Sequence, residues 1–444
     1  MTNNQSLYYR KAAEEIFRYA LESVEPEKLV YKAVSRKGNR LYIQHQEIDL
    51  TQLNRIIVIG AGKATAPMAQ AIEEIMGDII DSGLIIVKHG HSVPLIKIQT
   101  IEAGHPVPDE NGISGTQQLL QLVKETKPND LIIILISGGG SALLIDLPQH
   151  CILEELQTCF DLLLKSGASI TEINTVRKHL SHVKGGGLAR QIFPARLFTL
   201  ILSDVIGDPL DVIASGPTVP DPTTFADAWS IVQKYGLEDK IPYSIHYHLQ
   251  QGIAGNLPET PKSGDAIFSR VNNYIIGSNS IALEAARQKA TEMGFHAVIT
   301  GLNIEGEAAI AAKELVSTAR KAGIDTTIPK PACLLSGGET TVRVQGTGVG
   351  GRNQELALAA ALELEANEPI VILSAGTDGT DGPTDAAGAV VDSNTMIKAA
   401  TKGLDEKDFL ANNDSYHFFR QAGGHIITGP TRTNVMDIMM ALIY

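Results

Sequence analysis

Two basic residues stand beside glycine-rich turns in this sequence, in a setting that suits the binding of a small anion. Segment 336–351 is rich in glycine, and Arg352 and Asn353 then open an Ala/Leu run that predicts a helix. Near the N-terminus, Gly60-Ala61-Gly62 leads in the same way into Lys63 and a helical pattern. Glycine lets backbone N–H groups approach a ligand, and a helix begins with unpaired N–H groups, so both places predict anion sites. A surface lysine or arginine beside an ordinary turn is the simpler interpretation of either motif alone.

The lysine loop departs from the two best-known phosphate-binding motifs. Lys63 is followed by Ala64, whereas the lysine of a P-loop is followed by Ser or Thr. The third glycine of a dinucleotide fingerprint is replaced by Thr65, and the next predicted strand ends at Lys88, where that motif has an acidic residue. The loop therefore predicts an anion site with one ammonium group and argues against a nicotinamide dinucleotide.

Carboxylates follow predicted strands at two further places. Asp378, Asp381 and Asp385 lie in one loop after an apolar run, and Asp204 follows another. Mg²⁺ is usually held by few carboxylates together with phosphate oxygens and water, which predicts a metal site with Asp378 as first ligand and Asp381 as second. Solvated turn residues are the alternative interpretation of this loop. Asp204 is predicted to be a metal ligand or the base towards a substrate hydroxyl.

The remaining chemistry-bearing residues narrow the reaction class. The histidines show no metal-ligand spacing, and each is expected to be structural or on the surface. The loop 137–141, Ser-Gly-Gly-Gly-Ser, lacks the GxSxG pattern of a nucleophilic serine. Glycine loops, one lysine, one arginine and several aspartates are left. Phosphoryl transfer uses this set, because there the protein mainly positions groups and neutralises charge.

The elements that must position these residues alternate between strand and helix. Buried strands are predicted, among others, at 55–59, 83–87, 130–136, 197–202 and 370–373. Such alternation predicts parallel α/β sheets in two units, with ligands bound beyond the C-terminal strand ends, where the glycine and acidic loops lie. The Gly/Pro-rich segment 250–266 predicts a boundary between a domain of residues 1–260 and one of residues 261–444.

Composition excludes several function classes. The length of 444 residues favours two domains, and the net charge of −13 argues against a nucleic-acid or anionic-membrane partner. No apolar run reaches the length of a membrane span. Three cysteines in so long a chain, and an N-terminus without an apolar segment, predict a cytoplasmic protein.

Several long motifs, spread over nearly the whole chain, carry a family resemblance. They include VIGAGKA (58–64), GHPVPD (104–109), ISGGGSALL (136–144), INTVRKHLSHVKGGGLA (173–189), LSDVIGDPLDVIASGPTVPD (202–221), GSNSIALEAA (277–286), SGGETTV (336–342), GGRNQELAL (350–358) and AGTDGTDGPTDAAGA (375–389). Together they resemble the glycerate 2-kinases of the MOFRL type, also called class II glycerate kinases.

The resemblance implies ATP-dependent phosphorylation of D-glycerate to 2-phosphoglycerate, with a divalent cation expected to be Mg²⁺. It implies an α/β fold with a Rossmann-like N-terminal parallel sheet flanked by helices, a smaller C-terminal α/β domain, and an active site in the cleft between them. The family's active-site lysine and arginine fall on Lys63 and Arg352, and Asp204 completes the predicted catalytic set. The predicted substrate- and nucleotide-binding residues are Gly60, Gly62, Ser137, Gly138, Gly139, Gly140, Ser141, Asn279, Gly337, Gly338, Glu339 and Asn353.

One departure from the family pattern lies near the C-terminus. Segment 429–437, GPTRTNVMD, has Arg432 and Met436 where the family is expected to carry Gly and Asn. The detail of this loop is therefore expected to differ from that of the family.

Two rival functions remain open. Members of this family have also been labelled hydroxypyruvate reductases, but the broken dinucleotide fingerprint counts against an NAD(P)H-dependent enzyme. A non-catalytic sensor of sugar phosphates is the second rival, and the clustered aspartates disfavour it, because carboxylates repel phosphate unless a metal intervenes. The sequence leaves open which hydroxyl is phosphorylated, the nucleotide and metal preference, and the oligomeric state, for which a homodimer is one option.

Overall fold

Helices and strands alternate along most of the chain in the computed structural model, which describes residues 3–444. The α-helices are α1 (Asn3–Ser23), α2 (Pro26–Ala33), α3 (Thr65–Met76), α4 (Glu110–Val123), α5 (Gly140–Leu143), α6 (Leu153–Lys165), α7 (Ile170–His179), α8 (Gly187–Ile192), α9 (Phe225–Lys234), α10 (Tyr243–Ile253), α11 (Asn279–Glu292), α12 (Ala308–Ile324), α13 (Arg352–Glu363), α14 (Ser393–Thr401), α15 (Glu406–Ala411) and α16 (Ser415–Ala422). The strands are β1 (Val34–Lys37), β2 (Arg40–Ile43), β3 (Gln46–Asp49), β4 (Ile56–Ala61), β5 (Ser82–Lys88), β6 (Ile98–Ala103), β7 (Leu131–Ile136), β8 (Arg196–Leu202), β9 (Val271–Gly277), β10 (His296–Ile304), β11 (Ala332–Gly338), β12 (Ile370–Gly376), β13 (Gly388–Asp392), β14 (His425–Ile426) and β15 (Asp437–Ile443). Among residues 3–444, no helix has the length and apolar character needed to cross a membrane.

The chain forms two compact units, which we name after the basic residues that they hold. The lysine unit is Pro26–Ile276, and the arginine unit is Gly277–Tyr444 together with the residues up to Glu25. The predicted division into residues 1–260 and 261–444 stays a prediction about domains, and the compact units differ from it chiefly in the place of α1.

The lysine unit is built on a six-stranded sheet with the order β6-β5-β4-β7-β8-β9. The strands from β6 to β8 are parallel, with Ile57 opposite Ile132 and Ile59 opposite Ile134 in the central pair. Every residue of β4 and β7 is buried, as expected when helices cover both faces of a parallel sheet. The predicted Rossmann-like sheet is confirmed. The loops that follow β4, β7 and β8 therefore leave the same edge of the sheet.

The arginine unit has a mixed six-stranded sheet with the order β10-β11-β15-β12-β13-β14. Strands β10 and β11 are parallel, whereas β15 runs antiparallel between β11 and β12. Strand β13 is antiparallel to β12, which it follows after a loop without a crossover helix. The expected α/β character is confirmed. The expectation of a parallel sheet is wrong for this unit, because the last strand, β15, inserts antiparallel between β11 and β12, and β13 turns back beside β12.

The N-terminal helix α1 is part of the arginine unit. Arg10 donates from Nη2 to the carbonyl of Val390 at 2.6 Å and forms an ion pair with Asp392 at 3.4 Å. The ring of Tyr9 stacks on Tyr444 with centroids 3.8 Å apart. No local pattern in the sequence indicated this docking, since the partners of α1 lie in the distant C-terminal part of the chain, from α11 onwards.

The loop before β15 holds two residues in the left-handed backbone region. The φ angles are 61° at Arg432 and 67° at Met436, the two positions where the family is expected to carry Gly and Asn. Glycine adopts this region without a Cβ clash, and asparagine does so more readily than most other residues. The conformation of the loop thus gives a physical reason for the expected residues, and Arg432 and Met436 are strained in it.

We predict that Arg432→Gly stabilises the protein by about 0.5–1 kcal/mol, because relief of the left-handed strain exceeds the entropic cost of glycine. Thermal unfolding of wild type and variant measures the effect. Arg343→Gly is the control, since Arg343 is also exposed but has no positive φ angle. That substitution is expected to destabilise slightly. A lower unfolding midpoint for Arg432→Gly would show that the loop carries no strain at this position.

Candidate active site

The lysine loop of the lysine unit is joined to the glycine loop after β7. Lys63 lies between β4 and α3, and its backbone N–H donates to the carbonyl of Gly138 at 2.8 Å. The next N–H, that of Ala64, donates to Oγ of Ser137 at 2.9 Å. Gly62 has a φ of 146°, and a Cβ atom there would collide with Ser137. The two loops that the sequence selected separately therefore form one surface, with Lys63 at its centre.

Asp204 lies directly against this surface. A Cβ atom at Gly138 would collide with Oδ2 of Asp204, so glycine is needed for the carboxylate to pack so closely. Desolvation raises the pKa of the Asp204 carboxyl, and the nearby Lys63 ammonium acts in the opposite direction. Among residues 3–444, no hydrogen bond or ion pair engages the Lys63 side chain; only its backbone N–H and carbonyl are hydrogen-bonded. A partly desolvated acid beside an uncommitted ammonium group can take a proton while the cation binds a phosphate.

His105 belongs to the same cluster and was not selected from the sequence. Gly139 lies against both His105 and Lys63. A Cβ atom at this glycine would be 3.0 Å from Nε2 of His105 and 3.4 Å from Cγ of Lys63. Nδ1 of His105 is buried without a hydrogen-bond partner among the described residues. Desolvation, reinforced by Lys63 and Lys88, lowers the pKa of His105 to about 4. The imidazole is therefore neutral at physiological pH. The sequence signal that could have identified His105 is its place in the GHPVPD motif after β6. The motif does not show that His105 lies near Lys63, because only the order of the strands in the sheet brings the two loops together.

The far end of the glycine loop is anchored by a buried cation. Nζ of Lys184 donates to the carbonyls of Ser141 and Leu144 at 2.9 and 2.7 Å. The Ser141 hydroxyl lies 3.0 Å from that of Ser215. Desolvation lowers the pKa of Lys184 to about 8. Both serines of the loop were predicted to bind a ligand, but both already have hydrogen-bond partners within the protein, as does the backbone N–H of Gly140. Of this loop, the backbone of Gly138 and Gly139 is therefore best placed to contact a ligand.

In the arginine unit, Arg352 is held by two carboxylates. Its Nε and Nη2 donate to the two carboxylate oxygens of Asp437 at 2.6 and 2.9 Å, and Nη1 lies 3.0 Å from Oε1 of Glu339. The Asp437 side chain is fully buried. Burial disfavours the charge of Arg352, but the hydrogen bonds with Asp437 and the charge of Glu339 raise its pKa overall. The guanidinium is thus fixed in one orientation at the start of α13.

Asp381 occupies the N-terminus of α13. Its two carboxylate oxygens accept from the backbone N–H groups of Asn353 and Gln354 at 3.0 and 2.8 Å, and the Gln354 side chain donates to it as well, at 3.1 Å. Burial raises the pKa of Asp381 to about 6, while these hydrogen bonds act against the rise. The helix N–H groups that were expected to bind a ligand anion are therefore taken by a carboxylate of the protein. This geometry favours a capping role for Asp381, and its predicted role as a metal ligand stays a prediction.

Two predicted binding residues of this unit make internal hydrogen bonds. The amide oxygen of Asn353 accepts from Ser374 at 2.6 Å, and its amide nitrogen lies 3.4 Å from Asp381. The amide nitrogen of Asn279 donates to the carbonyls of Val435 and Asp437 at 2.8 and 2.9 Å. Both side chains are buried. Asn279 thereby contacts the start of β15, where Asp437 holds Arg352. Its amide oxygen is buried without a hydrogen-bond partner among the described residues, and its predicted binding role stays a prediction.

Asp378 is the more accessible of the two predicted metal ligands. It is half-buried, and Oδ1 accepts from the backbone N–H of Thr380 at 3.1 Å. A Cβ atom at Gly376 would lie 3.2 Å from Oδ1 of Asp378 and 3.3 Å from Oδ1 of Asp437, so the two carboxylates approach the same glycine. Across residues 3–444, no three His, Cys, Asp or Glu side chains are placed to hold a metal ion by themselves. Mg²⁺ usually takes one or two carboxylates with phosphate oxygens, and Asp378 fits that pattern.

Comparison with known proteins agrees with the resemblance seen in the sequence. Residues 12–250 match the family described as a domain of unknown function, DUF4147, and residues 332–437 match the MOFRL family. The chain is 44% identical over 437 residues to the D-glycerate 2-kinase of Thermotoga maritima, covering 98% of each chain. It is 43% identical over 427 residues to the glycerate 2-kinase of Pyrococcus horikoshii, covering 96% of this chain and 95% of the other. The chain belongs to the MOFRL-type glycerate kinase family.

A solved structure extends this relationship to three dimensions. The crystal structure of the glycerate kinase of Thermotoga maritima matches with a TM-score of 0.88 and 43% identity, covering 98% of this chain and 100% of the other. In this member of the glycerate kinase family, the lysine unit brings together Lys63, Asp204 and the glycine loop, with His105 in addition. The arginine unit brings together Arg352, Glu339 and Asp437. The roles predicted for these residues stay predictions.

Proposed function

We propose that this chain is a glycerate 2-kinase, which transfers the γ-phosphoryl group of ATP to D-glycerate and releases ADP and 2-phosphoglycerate. Similarity to the D-glycerate 2-kinase of Thermotoga maritima over nearly the full length supports the substrate. The observation that carries the chemistry is the contact of Asp204 with the glycine loop beside Lys63. The cytoplasmic location and the homodimer remain predictions from the sequence.

In the proposed reaction, Asp204 accepts the proton of the glycerate C2 hydroxyl. The hydroxyl oxygen then forms a bond to the γ-phosphorus of ATP, and the bond between that phosphorus and the β–γ bridging oxygen breaks. A carboxyl whose pKa is raised by desolvation is a better proton acceptor near neutral pH than an ordinary aspartate. The Lys63 ammonium stabilises the negative charge on the transferred group, which is the main task of a protein in phosphoryl transfer.

Arg352 is suited to bind a carboxylate or a phosphate, because its guanidinium is held in one orientation by Asp437 and Glu339. The cluster of Arg352, Asp437 and Glu339 carries a net negative charge, because it has one guanidinium and two carboxylates. A divalent cation would offset the repulsion between this cluster and phosphate, which supports the predicted need for Mg²⁺. Asp378 is the residue that would hold the cation, together with phosphate oxygens of the nucleotide.

We predict that Asp378→Asn raises the Mg²⁺ concentration for half-maximal activity at least tenfold, because one of the few protein carboxylates near the cation is lost. A titration of activity with Mg²⁺ measures this. Asp385→Asn is the matched control, since Asp385 lies in the same loop and accepts a hydrogen bond from Tyr416 at 2.8 Å. That control is expected to keep the wild-type requirement. If Asp378→Asn leaves both the requirement and the turnover unchanged, the loop is structural and Asp204 becomes the better candidate ligand.

One assay separates the proposed function from its two rivals. Purified protein is given D-glycerate and ATP, with ADP release followed, and in parallel hydroxypyruvate and NADH, with NADH oxidation followed. ADP release alone is expected. NADH oxidation would identify a hydroxypyruvate reductase, and the absence of both reactions would favour the sugar-phosphate sensor. NMR of the product distinguishes 2-phosphoglycerate from 3-phosphoglycerate.

A further inference from the structure

A cavity of about 590 Å³ lies within the arginine unit, beside the first turn of α13. Arg352 is in its wall, as are Glu355 one turn further along the helix and the segment between β11 and α13. Its volume is in the range of pockets that bind a nucleoside or a molecule of similar size. Arg352 and Glu339 belong to the anion-binding cluster proposed above, but the rest of the cavity wall has no role in the proposed reaction.

One part of the wall suits a flat apolar ring. Val342, Val344 and Pro383 contribute apolar side chains. Gly350 and Gly382 also line the cavity, and glycine allows a ring to lie against the backbone. Val344 is 73% exposed, so its side chain has little to contact in the protein and is available to a ligand.

The polar groups of the wall suit hydroxyl and amino groups. Glu355 is only 9% exposed, and one of its carboxylate oxygens accepts from Asn413 at 3.0 Å. The hydroxyl of Thr340 lines the cavity and is buried without a hydrogen-bond partner among the described residues. A carboxylate that accepts from ribose hydroxyls is a common feature of nucleotide sites. Thr340 and Glu355 together offer a nucleoside the donor and acceptors that it needs.

The wall of the cavity carries more negative than positive charge, which disfavours binding of a triphosphate inside it. Glu339, Glu355 and Asp381 contribute carboxylates, against one guanidinium from Arg352. The α13 N–H groups that bind anions best are already engaged by Asp381. An uncharged ligand part therefore fits the cavity, whereas phosphates fit only where they can meet Arg352.

We propose that this cavity binds the nucleoside part of the phosphoryl donor, with the base against Val342, Val344 and Pro383 and the ribose towards Glu355. The phosphates then leave the cavity on the side of Arg352. This inference rests on the proposed function in that the nucleotide is taken to be the donor for glycerate. All residues that line the cavity belong to the arginine unit, so this unit alone is proposed to recognise the base and the ribose.

The test compares Val344→Trp with Ile324→Trp by calorimetry, using ADP, adenosine and inorganic tripolyphosphate as probes. Ile324 is 83% exposed at the end of α12, in the same unit but outside the cavity. Val344→Trp fills the cavity and is expected to weaken ADP and adenosine about tenfold while leaving tripolyphosphate unchanged. Ile324→Trp is expected to bind all three probes like wild type. Thermal unfolding of both variants confirms that each is folded.

Kinetics give a second readout that separates this inference from the proposed function. Val344→Trp is expected to raise the KM for ATP about tenfold and to leave the KM for D-glycerate unchanged. Unchanged ADP and adenosine affinity in Val344→Trp would overturn the nucleoside site, as would equal weakening of tripolyphosphate. A wild-type protein that binds ADP but does not phosphorylate D-glycerate would overturn the proposed function and leave the nucleoside site standing.

Discussion

Lys63→Ala is expected to lower kcat by about 10²–10³-fold while leaving the unfolding temperature nearly unchanged. The loss in rate follows from removing the cation that stabilises the transferred phosphoryl group. The stability is expected to hold because no hydrogen bond or ion pair among residues 3–444 engages the Lys63 side chain. Its backbone hydrogen bonds with Gly138 and His91 do not depend on the side chain. Steady-state kinetics and a thermal melt of the same preparation measure both quantities.

The pH profile of the same variant gives an independent check. Asp204 must be ionised to accept a proton, so kcat/KM is expected to fall as the pH falls through the pKa of Asp204. That pKa is raised by desolvation and partly lowered again by Lys63. Removing the ammonium removes the lowering effect, so the acidic limb of the profile is expected to move to higher pH in Lys63→Ala.

Lys88→Ala is the matched control, since Lys88 is a lysine at the end of β5 that acts on the pKa of His105, whereas Lys63 is the cation that lowers the pKa of Asp204. It is expected to keep a kcat within a few-fold of wild type and an unshifted acidic limb. Near-normal turnover in Lys63→Ala would remove Lys63 from the catalytic set. An acidic limb at the wild-type pH in Lys63→Ala would show that the Lys63 ammonium does not lower the pKa of the group that accepts the proton.

Local patterns predicted the parts of this site that are built within one strand, turn and helix. Gly60 lies near the end of β4, and Gly62 and Lys63 stand between β4 and α3, so their arrangement could be predicted from the sequence. His105 could not be placed in this way, because its neighbour Gly139 belongs to a loop that only the order β6-β5-β4-β7 brings close. The local pattern favoured a structural or surface role for each histidine, and it does not reveal the buried, unpartnered Nδ1 of His105.

The roles of the acidic residues were even harder to predict from local sequence patterns. The composition of the loop 375–388 predicted metal ligands, yet Asp381 caps α13, whose first residues precede it by almost thirty positions. Asp437 was not selected at all, because its partner Arg352 lies 85 residues earlier in the chain. Strand β15 brings the two together by pairing antiparallel between β11 and β12. A carboxylate's role is set by which groups its two oxygens meet, and these contacts are non-local.

Arg352→Ala is expected to lower both kcat and stability, in contrast to Lys63→Ala. Asp437 is fully buried, and the substitution leaves its carboxylate without the two hydrogen bonds at 2.6 and 2.9 Å that now offset its desolvation. Removing one partner of a buried ion pair costs about 3–5 kcal/mol of stability. Separately from this loss of stability, the loss of the oriented guanidinium is expected to lower kcat by about 10²–10³-fold. Kinetics below the unfolding temperature of the variant separate the two losses.

A double-mutant cycle with Asp437→Asn distinguishes a catalytic arginine from a structural one. Asp437→Asn removes the buried charge, so the double variant Arg352→Ala/Asp437→Asn is expected to regain most of the stability lost in Arg352→Ala. Its kcat is expected to stay as low as that of Arg352→Ala, because neutralising Asp437 does not restore the guanidinium. Recovery of kcat together with stability would mean that Arg352 acts only by holding Asp437 in place, and the phosphate or the glycerate carboxylate would then have to be bound by another cation.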